Sequence, residues 1–297
     1  MKVAITGSSG LIGTALVAGL RADGHQVLRL VRGGAAGQDT VTWDPGAEEG
    51  GLDPRSLDGV TAVVHLAGAG VADKRWTPSY QAEIRDSRVK GTKALVRALS
   101  AMTTPPGVLL SGSAIGWYGD TGGREVTEGA PAGRGFLPEV VREWEAAAGE
   151  ATAAGIRVCT LRSGVVLSPR GGILGKLLPL FRLGLGGRIG SGRQVMSWIG
   201  LSEWVAAARF LLGADIAGPV NLTTPSPVTN AEFTAALAAA VHRPAVMLVP
   251  VPAVKLVVGG VSSDILSSAR VLPRRLLEGG YRFQHPGIAG ALAAELG

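Results

Sequence analysis

Short runs of β-branched and aliphatic residues alternate along the chain with longer segments in which apolar residues recur every three or four positions. The runs with the length and apolar content of buried strands are "KVAITG", "HQVLRLVR", "TAVVHLAG", "GVLLSGS" and "IRVCTLRSGVVL". Helical periodicity predicts helices from Leu11 to about Ala22, from about Ser79 to Ser100, and within residues 134–151. Uninterrupted apolar strands that alternate with helices predict an α/β fold, with a doubly wound parallel sheet that carries helices on both faces.

The alternation loosens beyond residue 167. Glycine-rich loops, a helix near Glu203 to Leu212, a short "PVNL" strand and a proline-punctuated C-terminal part follow. We therefore predict two domains. The first comprises residues 1–167 and about 203–224 and contains the sheet. The second comprises residues 168–202 and 225–297 and forms a smaller C-terminal substrate lobe.

Composition narrows the class of protein. The chain has 297 residues, of which 46% are hydrophobic and 18% charged, so it can bury a sizeable core. The net charge is +6, but the 29 basic residues are scattered, and we predict no nucleic-acid partner. Cys159 is the only cysteine, which excludes an internal disulfide and a thiolate metal cluster. Its apolar neighbours predict a buried strand residue, with a reactive thiol as the less favoured alternative.

Other sequence features predict a soluble, cytoplasmic protein that does not contact a membrane. No segment has about 18 consecutive uncharged apolar residues, which a membrane-spanning helix requires. The first strand begins within two residues of the N-terminus and leaves no room for a signal peptide. The four histidines lack metal-ligand spacing, and we predict that His65 lines the C-terminal edge of the sheet.

The segment "AITGSSGLIG" predicts a phosphate-binding loop. It places Gly7, Gly10 and Gly13 directly after a strand and at the start of a helix. The first glycine permits a tight turn, the second lets the backbone approach a pyrophosphate, and the third lets the helix pack closely on the sheet. The free N–H groups and positive end of the helix then attract the anion, and Ser8 and Ser9 can add hydroxyl donors.

Arg32 favours NADP over NAD as the dinucleotide. A site for NAD usually has an acid at the end of the second strand, whereas the 2′-phosphate of NADP needs a cation there. "VLRLVRGG" ends in Arg32, and the next acid, Asp39, follows seven residues later. A guanidinium can hold a phosphate with two hydrogen bonds, so we predict NADP(H). The alternative is a solvated surface arginine.

Longer motifs carry a resemblance to a known family. These are "HLAG" at residues 65–68, "KRWTPSYQAEIRDSRVKGTKAL", "SGVVLSPRGGILGKLLPLFRLGLGGRIGSGRQVMSWI", "GPVNLTTPSPVTNAEF" and "VLPRRLLEGGYRF". Over essentially its whole length the chain resembles the atypical extended short-chain dehydrogenases/reductases generally called "epimerase family protein", which are NAD-dependent epimerase/dehydratase-like and end in a domain of unknown function. The resemblance implies a Rossmann sheet with a small C-terminal substrate lobe, and NADPH as the cofactor.

The resemblance also implies cofactor contacts along the first part of the chain. They fall on Thr6, Gly7, Ser8, Ser9, Gly10, Leu11, Ile12, Gly13, Val31, Arg32, Leu66, Ala67, Gly68, Glu83, Arg88 and Val166. Within this set, Leu66 and Ala67 are expected beside the ribose on the nicotinamide side. Without the resemblance, we would interpret Glu83 and Arg88 as a surface ion pair.

The helix at residues 134–151 lacks the catalytic pair of ordinary short-chain reductases. In those enzymes a serine polarises the substrate carbonyl, a tyrosine donates the proton, and a lysine lowers the pKa of that tyrosine. Phe136–Glu150 contains neither tyrosine nor lysine.

The candidates that remain for catalysis are Ser113, with Ser111 as its rival, and Tyr118, which lies before this helix. Glu139 or Glu143 could act as the acid only if burial raised its pKa strongly. Ser113 is either a catalytic residue or a polar residue at a strand end.

The chain also departs from the family near residue 200, where the usual W-I-H-I-D-D motif reads "WIGLSE". The histidine is replaced by Gly200. Just upstream, "FRLGLGGRIGSGRQ" places three arginines among five glycines. This arrangement suits an anionic substrate, with Arg193 and Trp198 as the predicted substrate residues, whereas the alternative is a mobile solvated loop.

Two functions remain open. The first is an NADP(H)-binding oxidoreductase that acts on an unknown small molecule without the Tyr–Lys pair. The second is a non-catalytic NADP(H) sensor whose cofactor sets the affinity for a protein partner. Epimerisation through a keto intermediate would normally require the missing tyrosine. Extended reductases often pair through two long helices, which favours a homodimer.

Overall fold

Strands between Lys2 and Leu222 form a seven-stranded parallel sheet. The computed structural model describes residues 1–33, 37–47, 49–252 and 267–297. Across the sheet the strands are, in order, β12 (Gly218–Leu222), β7 (Arg157–Ser163), β5 (Val108–Ala114), β4 (Ala62–His65), β1 (Lys2–Thr6), β2 (Gln26–Val31) and β3 (Thr40–Thr42). The predicted fold class is therefore confirmed.

The strand order reverses at β1. Thr6, at the end of β1, lies opposite Leu30 of β2 on one side and His65 of β4 on the other. The connections that leave β1 and β4 therefore diverge at this point. In an open parallel sheet, the crevice between such connections is where ligands bind.

The four helices predicted from the sequence begin and end within a few residues of their predicted positions. The helices of the described residues are α1 (Leu11–Ala22), α2 (Pro78–Ser100), α3 (Phe136–Gly149), α4 (Gly172–Arg182), α5 (Leu201–Gly213), α6 (Asn230–Ala240), α7 (Arg274–Glu278) and α8 (Ile288–Leu296). Short 3₁₀ helices span Pro54–Leu57, Ile115–Tyr118 and Glu150–Ala154. The start of α2 shows why the boundaries are local: Pro78 presets the first turn, and Thr77 Oγ1 accepts a hydrogen bond from the backbone N–H of Tyr80.

Apolar side chains cover the sheet because successive strand residues point to opposite faces. Ala4, Leu28 and Leu30 pack in one cluster with Leu95 and Leu99 of α2. Val3 and Ile5 alternate with Ala4 and are also fully buried. Each such aliphatic side chain stabilises the fold by about 2 kcal/mol relative to an exposed one. Cys159 is buried in β7, as the sequence predicts.

The run "IRVCTLRSGVVL" forms two strands instead of one. β7 ends at Ser163, and after Gly164 the chain continues as β8 (Val165–Leu167), which pairs with β11 (Trp198–Gly200) outside the large sheet. A Cβ at Gly164 would lie 2.8 Å from the carbonyl oxygen of Ser197. The absence of a side chain therefore allows this break, which an apolar pattern alone does not reveal.

The chain divides into two compact units. Unit 1 comprises Met1–Ala114, Glu139–Arg162 and Ala208–Val220, and unit 2 comprises Ile115–Pro138, Ser163–Ala207 and Asn221–Gly297. The domain boundaries drawn from the sequence stay a prediction. Part of the predicted C-terminal lobe, residues 253–266, lies outside the described residues.

Unit 2 is built from short paired strands and small helices. Its remaining strands are β6 (Glu125–Val126), β9 (Gly187–Ile189), β10 (Val195–Met196), β13 (Val228–Thr229), β14 (Met247–Val249) and β15 (Arg270–Val271). They pair as β6 with β15, β9 with β14 and β10 with β13. A separate cluster around Trp198, Phe181 and Phe233 forms its core. Among the helices that the structure describes, none has the length and apolar character to cross a membrane.

Candidate functional site

The loop between β1 and α1 is shaped by glycines that leave no room for side chains. Gly7 has a φ of +65°, and a Cβ there would lie 2.7 Å from the carbonyl carbon of Leu66. A Cβ at Gly13 would lie 2.2 Å from the carbonyl oxygen of Gly7. Gly10 is different, because a Cβ there would meet only the Gly7 carbonyl oxygen, at 3.4 Å. The first and third glycines thus fold the loop, while the second faces open space.

The N-terminus of α1 has amide donors that no side chain satisfies. Gly10 is its N-cap, has no side chain to cap it, and is followed by a first turn without an acid. The N–H groups of Leu11, Ile12 and Gly13 point outward because a helix cannot bond its own first turn. Such an end attracts an anion. The loop thus ends at an uncapped helix start; its contact with a pyrophosphate stays a prediction.

Thr6 joins this loop to the end of β4. Its Oγ1 accepts hydrogen bonds from the backbone N–H groups of Leu66 and Ala67, at 3.1 and 3.2 Å. Both lone pairs are then used, so the Thr6 hydroxyl donates to His65 Nδ1 at 2.7 Å. The proton of the imidazole is therefore on Nε2, which lies 3.0 Å from Thr92 Oγ1. This network holds the backbone at Leu66 and Ala67, where the ribose contact is predicted.

His65 ends β4 at the C-terminal edge of the sheet, as predicted, and its ring faces the core. The ring is fully buried between β1 and α2. Burial lowers the pKa of His65 to about 4, which keeps the ring neutral. The residue is a structural bridge in the core of unit 1.

Arg88 and Glu83 do not pair with each other. Arg88 Nη1 donates to the backbone oxygens of Ala69 and Ile84, at 2.9 and 3.0 Å, and its guanidinium lies 5.1 Å from the centre of the Trp144 ring. Burial lowers the pKa of Arg88 to about 10. Glu83 is exposed and pairs with Lys74 at 3.4 Å. The surface-pair interpretation is thus wrong for these two residues; their role as cofactor contacts stays a prediction.

Arg32 stands at the rim of a concavity at the end of β2. The residue is exposed, and β2 ends just before it at Val31. The concavity has a volume of about 650 Å³, and its other walls come from Trp43, Pro45 and neighbouring residues up to Gly51. Asp39 does not compete for Arg32, because its carboxylate pairs with Arg21 at 3.1 Å. A cation beside an open concavity is consistent with the predicted phosphate contact.

Ser113 lies at the end of β5 with its hydroxyl proton already engaged. It is buried, and its Oγ donates to Glu145 Oε1 of α3 at 2.6 Å. Arg162 of β7, also buried, donates to both carboxylate oxygens at 2.8 Å. Ser111, the rival candidate, is fully buried within β5. An ordinary reductase has its tyrosine and lysine on the helix that corresponds to α3. In this protein α3 instead carries Glu145, which forms a buried ion pair with Arg162 and a hydrogen bond with Ser113.

The predicted site residues of unit 2 are mostly internal. Tyr118 is buried, and its hydroxyl donates to Asn221 Oδ1 at 2.7 Å. Trp198 is fully buried, and its Nε1 donates to the Ser226 carbonyl oxygen at 3.2 Å. Val166 pairs with Ile199 in the two-stranded sheet of β8 and β11.

Substrate contact through Trp198 would require the core of unit 2 to open, and Tyr118 would have to leave Asn221 to donate a proton. Arg193, by contrast, is exposed, as are Arg182 and Arg188 in the same glycine-rich segment. The catalytic and substrate roles of these residues stay predictions.

Gly200, where the resembled motif has histidine, leaves space for another side chain. A Cβ at this position would lie 3.0 Å from Glu295 Oε1. That oxygen instead accepts hydrogen bonds from the N–H and hydroxyl of Ser202 at the start of α5, at 2.8 and 2.7 Å. One residue further, the buried Glu203 accepts hydrogen bonds from the Tyr281 hydroxyl and from the N–H groups of residues 284 and 285. The substituted motif therefore anchors the C-terminal segment of unit 2.

Comparison with known proteins decides the family. The model of the NAD-dependent epimerase/dehydratase family matches residues 3–222, and a domain of unknown function matches residues 249–295. The chain belongs to the NAD-dependent epimerase/dehydratase family. The family and the C-terminal domain inferred from the motifs are confirmed.

Relatives of this family member cover its whole length. An epimerase family protein of Mycobacterium bovis is 46% identical over 98% of this chain and 96% of its own. The human epimerase family protein SDR39U1 (isoform 2), whose crystal structure was determined with NADPH, is 35% identical, superposes with a TM-score of 0.90, and covers 99% of each chain. The UDP-glucose 4-epimerase of Thermus thermophilus, in complex with NAD, has a TM-score of 0.78 at 21% identity over 100% of this chain and 98% of its own, which shows the fold alone.

Three residues near the predicted site were missed in the sequence. Glu145 and Arg162 form the ion pair beside Ser113, and Arg29 contacts the phosphate loop through Ser8 at 3.1 Å. The available signal was an arginine inside an apolar strand, in "VLRLV" and "CTLRSG". Because a charge is seldom buried without a partner, each such arginine indicates a contact. The identity of the partner depends on tertiary structure.

Proposed function

We propose that this protein is an NADP(H)-binding oxidoreductase of the atypical extended short-chain dehydrogenase/reductase type that acts on a small molecule. The observation that carries the proposal is the uncapped N-terminus of α1 beneath a loop whose Gly7 and Gly13 admit no side chain. That arrangement leaves backbone amides facing an open position at Gly10. The NADPH in the crystal structure of human SDR39U1, at 35% identity, further supports this cofactor.

Different residues of unit 1 bind different parts of the cofactor. The amides of Leu11 to Gly13 bind the pyrophosphate, with Ser9 beside them. The Arg32 guanidinium binds the 2′-phosphate. The backbone at Leu66, Ala67 and Gly68, which Thr6 and Arg88 support from below, contacts the ribose on the nicotinamide side. The bound nicotinamide supplies or accepts a hydride.

The tyrosine and lysine that reduce an ordinary ketone are absent from Phe136–Glu150. Ser113 gives its proton to Glu145, so it can accept a hydrogen bond from a ligand but has no second proton to donate. Arg162 holds both oxygens of that carboxylate. We therefore favour an electron-poor acceptor, such as a quinone or an enone, whose reduction depends less on a protein acid.

The same pairing favours a second candidate function. A cofactor-binding site whose serine and carboxylate are both engaged in a buried network resembles a structural element as much as a catalytic one. In the sensor hypothesis, NADPH and NADP⁺ stabilise different conformations, and a protein partner binds one of them. This function makes the same cofactor contacts but predicts no turnover.

One pair of measurements tests the proposal. Calorimetry on the wild-type protein should show tighter binding of NADPH than of NADH, and NADPH oxidation should be followed with carbonyls, quinones and enones. Gly10→Ala introduces a methyl group where the loop is open, so we expect a folded protein that has lost cofactor affinity and turnover. Gly149→Ala, at a helical position with open space around it, is the control and should bind as wild type does.

Each result separates the alternatives. Turnover that disappears in Gly10→Ala supports the oxidoreductase. Tight NADPH binding with no oxidation by any acceptor supports the sensor. Equal or stronger affinity for NADH contradicts the assignment of NADP(H).

A further inference from the structure

Arg29 reaches from the interior of β2 to the phosphate loop. Its Nε donates to Ser8 Oγ at 3.1 Å, and Ser8 is buried directly after Gly7. In the sheet, Arg29 lies opposite Ile5, two residues before the loop begins. The guanidinium is therefore held at the side of the loop, half-buried, by a contact that only the tertiary structure produces.

No acid neutralises this guanidinium in the part of the chain that the structure describes. The acid that follows β2, Asp39, forms its ion pair with Arg21. Arg29 uses one of its five N–H groups on Ser8, and the remaining four are donors without an acceptor among the described residues. Arg29 is therefore a half-buried cation with unused donors beside a loop that is proposed to bind phosphate. This combination indicates that a phosphate group of the ligand contacts Arg29.

We propose that Arg29 and Arg32 together bind the adenosine 2′-phosphate of NADP(H), Arg29 from the side of the glycine loop and Arg32 from the end of β2. This inference rests on the proposed function, since it assigns a second residue to the cofactor. A phosphate monoester carries between one and two negative charges at neutral pH, about 1.5 to 2. One exposed arginine compensates only part of that charge, and a half-buried second one is screened less by salt.

Ser8 orients the second cation. By accepting the Nε proton, it fixes the plane of the guanidinium and leaves the two Nη groups for the phosphate oxygens. Discrimination between NADP(H) and NAD(H) then depends on two arginines and a serine, of which only Arg32 lies at the position that usually decides it.

The test compares dissociation constants for two cofactors that differ only in the 2′-phosphate. Calorimetry with NADP⁺ and NAD⁺ is carried out on the wild type, Arg29→Met, Arg32→Met and Ser8→Ala. We expect Arg29→Met to weaken NADP⁺ binding about ten- to hundredfold and to change NAD⁺ binding less than about twofold, as for the loss of hydrogen bonds to a charged group. Ser8→Ala keeps the charge and should give a smaller loss, again for NADP⁺ alone.

Arg55→Met is the matched control. It also removes one positive charge from unit 1, but Arg55 is highly exposed in the 3₁₀ helix that precedes β4, where it pairs with Asp53. Both cofactors should bind this variant as they bind the wild type. The pair 2′,5′-ADP and 5′-AMP repeats the comparison without the nicotinamide half.

The outcomes distinguish this inference from the proposed function. If Arg29→Met weakens both cofactors equally, or leaves their ratio unchanged, Arg29 supports the loop only and the inference is overturned while NADP(H) binding stands. If the wild type shows no preference for NADP⁺, the proposed function fails first. Circular dichroism checks folding, and Arg29→Lys, which keeps the charge but loses the two-pronged donor, replaces Arg29→Met if that variant does not fold; it should then bind NADP⁺ more weakly than the wild type and NAD⁺ equally.

Discussion

The Ser113 hydroxyl gives its proton to the Glu145 carboxylate at 2.6 Å, and the same carboxylate accepts two hydrogen bonds from Arg162. The charged groups of this pair are almost inaccessible to water, with 2% of the Arg162 side chain and 11% of the Glu145 side chain exposed. A serine placed where a reductase polarises its substrate is thus a member of a buried ionic network. This relationship determines both the chemistry that the site can support and the stability of unit 1.

Removal of Glu145 should destabilise the protein strongly. Glu145→Ala removes the carboxylate that accepts two hydrogen bonds from the buried Arg162 guanidinium, and we expect the free energy of unfolding to fall by about 3–5 kcal/mol. Ser113→Ala removes one hydrogen bond from a carboxylate that keeps its arginine, at a cost of about 1–2 kcal/mol. Urea titrations monitored by circular dichroism measure both values.

The matched control lies on the same helix. Glu143 pairs with Arg85 at the surface of α3, and Glu143→Ala should cost at most about 1 kcal/mol. A loss for Glu145→Ala no larger than that for Glu143→Ala would contradict the burial argument. The double variant Glu145→Leu/Arg162→Met should recover much of the lost stability, because it leaves no unpaired charge.

His65 should make the stability of the protein fall at mildly acidic pH. Its pKa is about 4 in the folded state, where burial keeps the ring neutral, and about 6.5 in the unfolded chain. Below about pH 6.5 the unfolded state takes up a proton that the folded state does not. The contribution of His65 to the free energy of unfolding is therefore fully present only above that pH. Between pH 6.5 and 4 it should decrease by about 1.4 kcal/mol per unit, or about 3 kcal/mol in all.

The variant His65→Gln isolates this effect. Denaturation midpoints of the variant and the wild type should converge as the pH falls from 7 to 4.5, because only the wild type loses the contribution. Parallel pH profiles would show that His65 does not titrate as its burial requires. An NMR titration of the wild type provides an independent measurement, in which the His65 ring should remain neutral at pH 5.

Restoring the family's histidine at position 200 should disrupt the end of unit 2. In Gly200→His the new side chain occupies the space of the Glu295 carboxylate, which then releases Ser202 at the start of α5. We expect a loss of about 1–3 kcal/mol, as for overpacking combined with a lost helix cap. Thermal unfolding measures this change.

A double-mutant cycle tests the mechanism. Glu295→Ala alone should cost about 1 kcal/mol through the cap. The same change should cost less in the Gly200→His background, because the carboxylate is already displaced there. Additive effects would mean that the two residues do not compete for the space.

The fold could be predicted from the sequence for the strands and helices near the phosphate loop. α1 spans Leu11 to Ala22 as the periodicity predicts, and α2 begins one residue before the predicted start. Apolar residues recur at helical spacing in both helices, and α2 also has a local cap. The break at Gly164 was not predictable, since it depends on a backbone segment near Ser197, more than thirty residues away in the chain.

Some residues of the candidate site could likewise be predicted from the sequence, and others could not. Spacing alone located Gly7, Gly10 and Gly13, because a turn and a helix start impose their requirements within a few residues. Contacts between distant segments were not visible, so the sequence indicated neither the partner of Arg29 nor that of Arg162. The position of His65 at the end of its strand was predicted, whereas its bridge between Thr6 and Thr92 was not.

By itself, the sequence of this protein determined the parallel sheet, the glycine loop and the family, since each depends on patterns that are read locally along the chain. Only the tertiary structure decided that Ser113 is bound to Glu145, that Arg29 is held beside the loop, and that Glu295 occupies the space at Gly200. The physical reason is that hydrogen bonds and ion pairs act over about 3 Å in space. Residues separated by tens of positions meet at that distance only after the chain has folded.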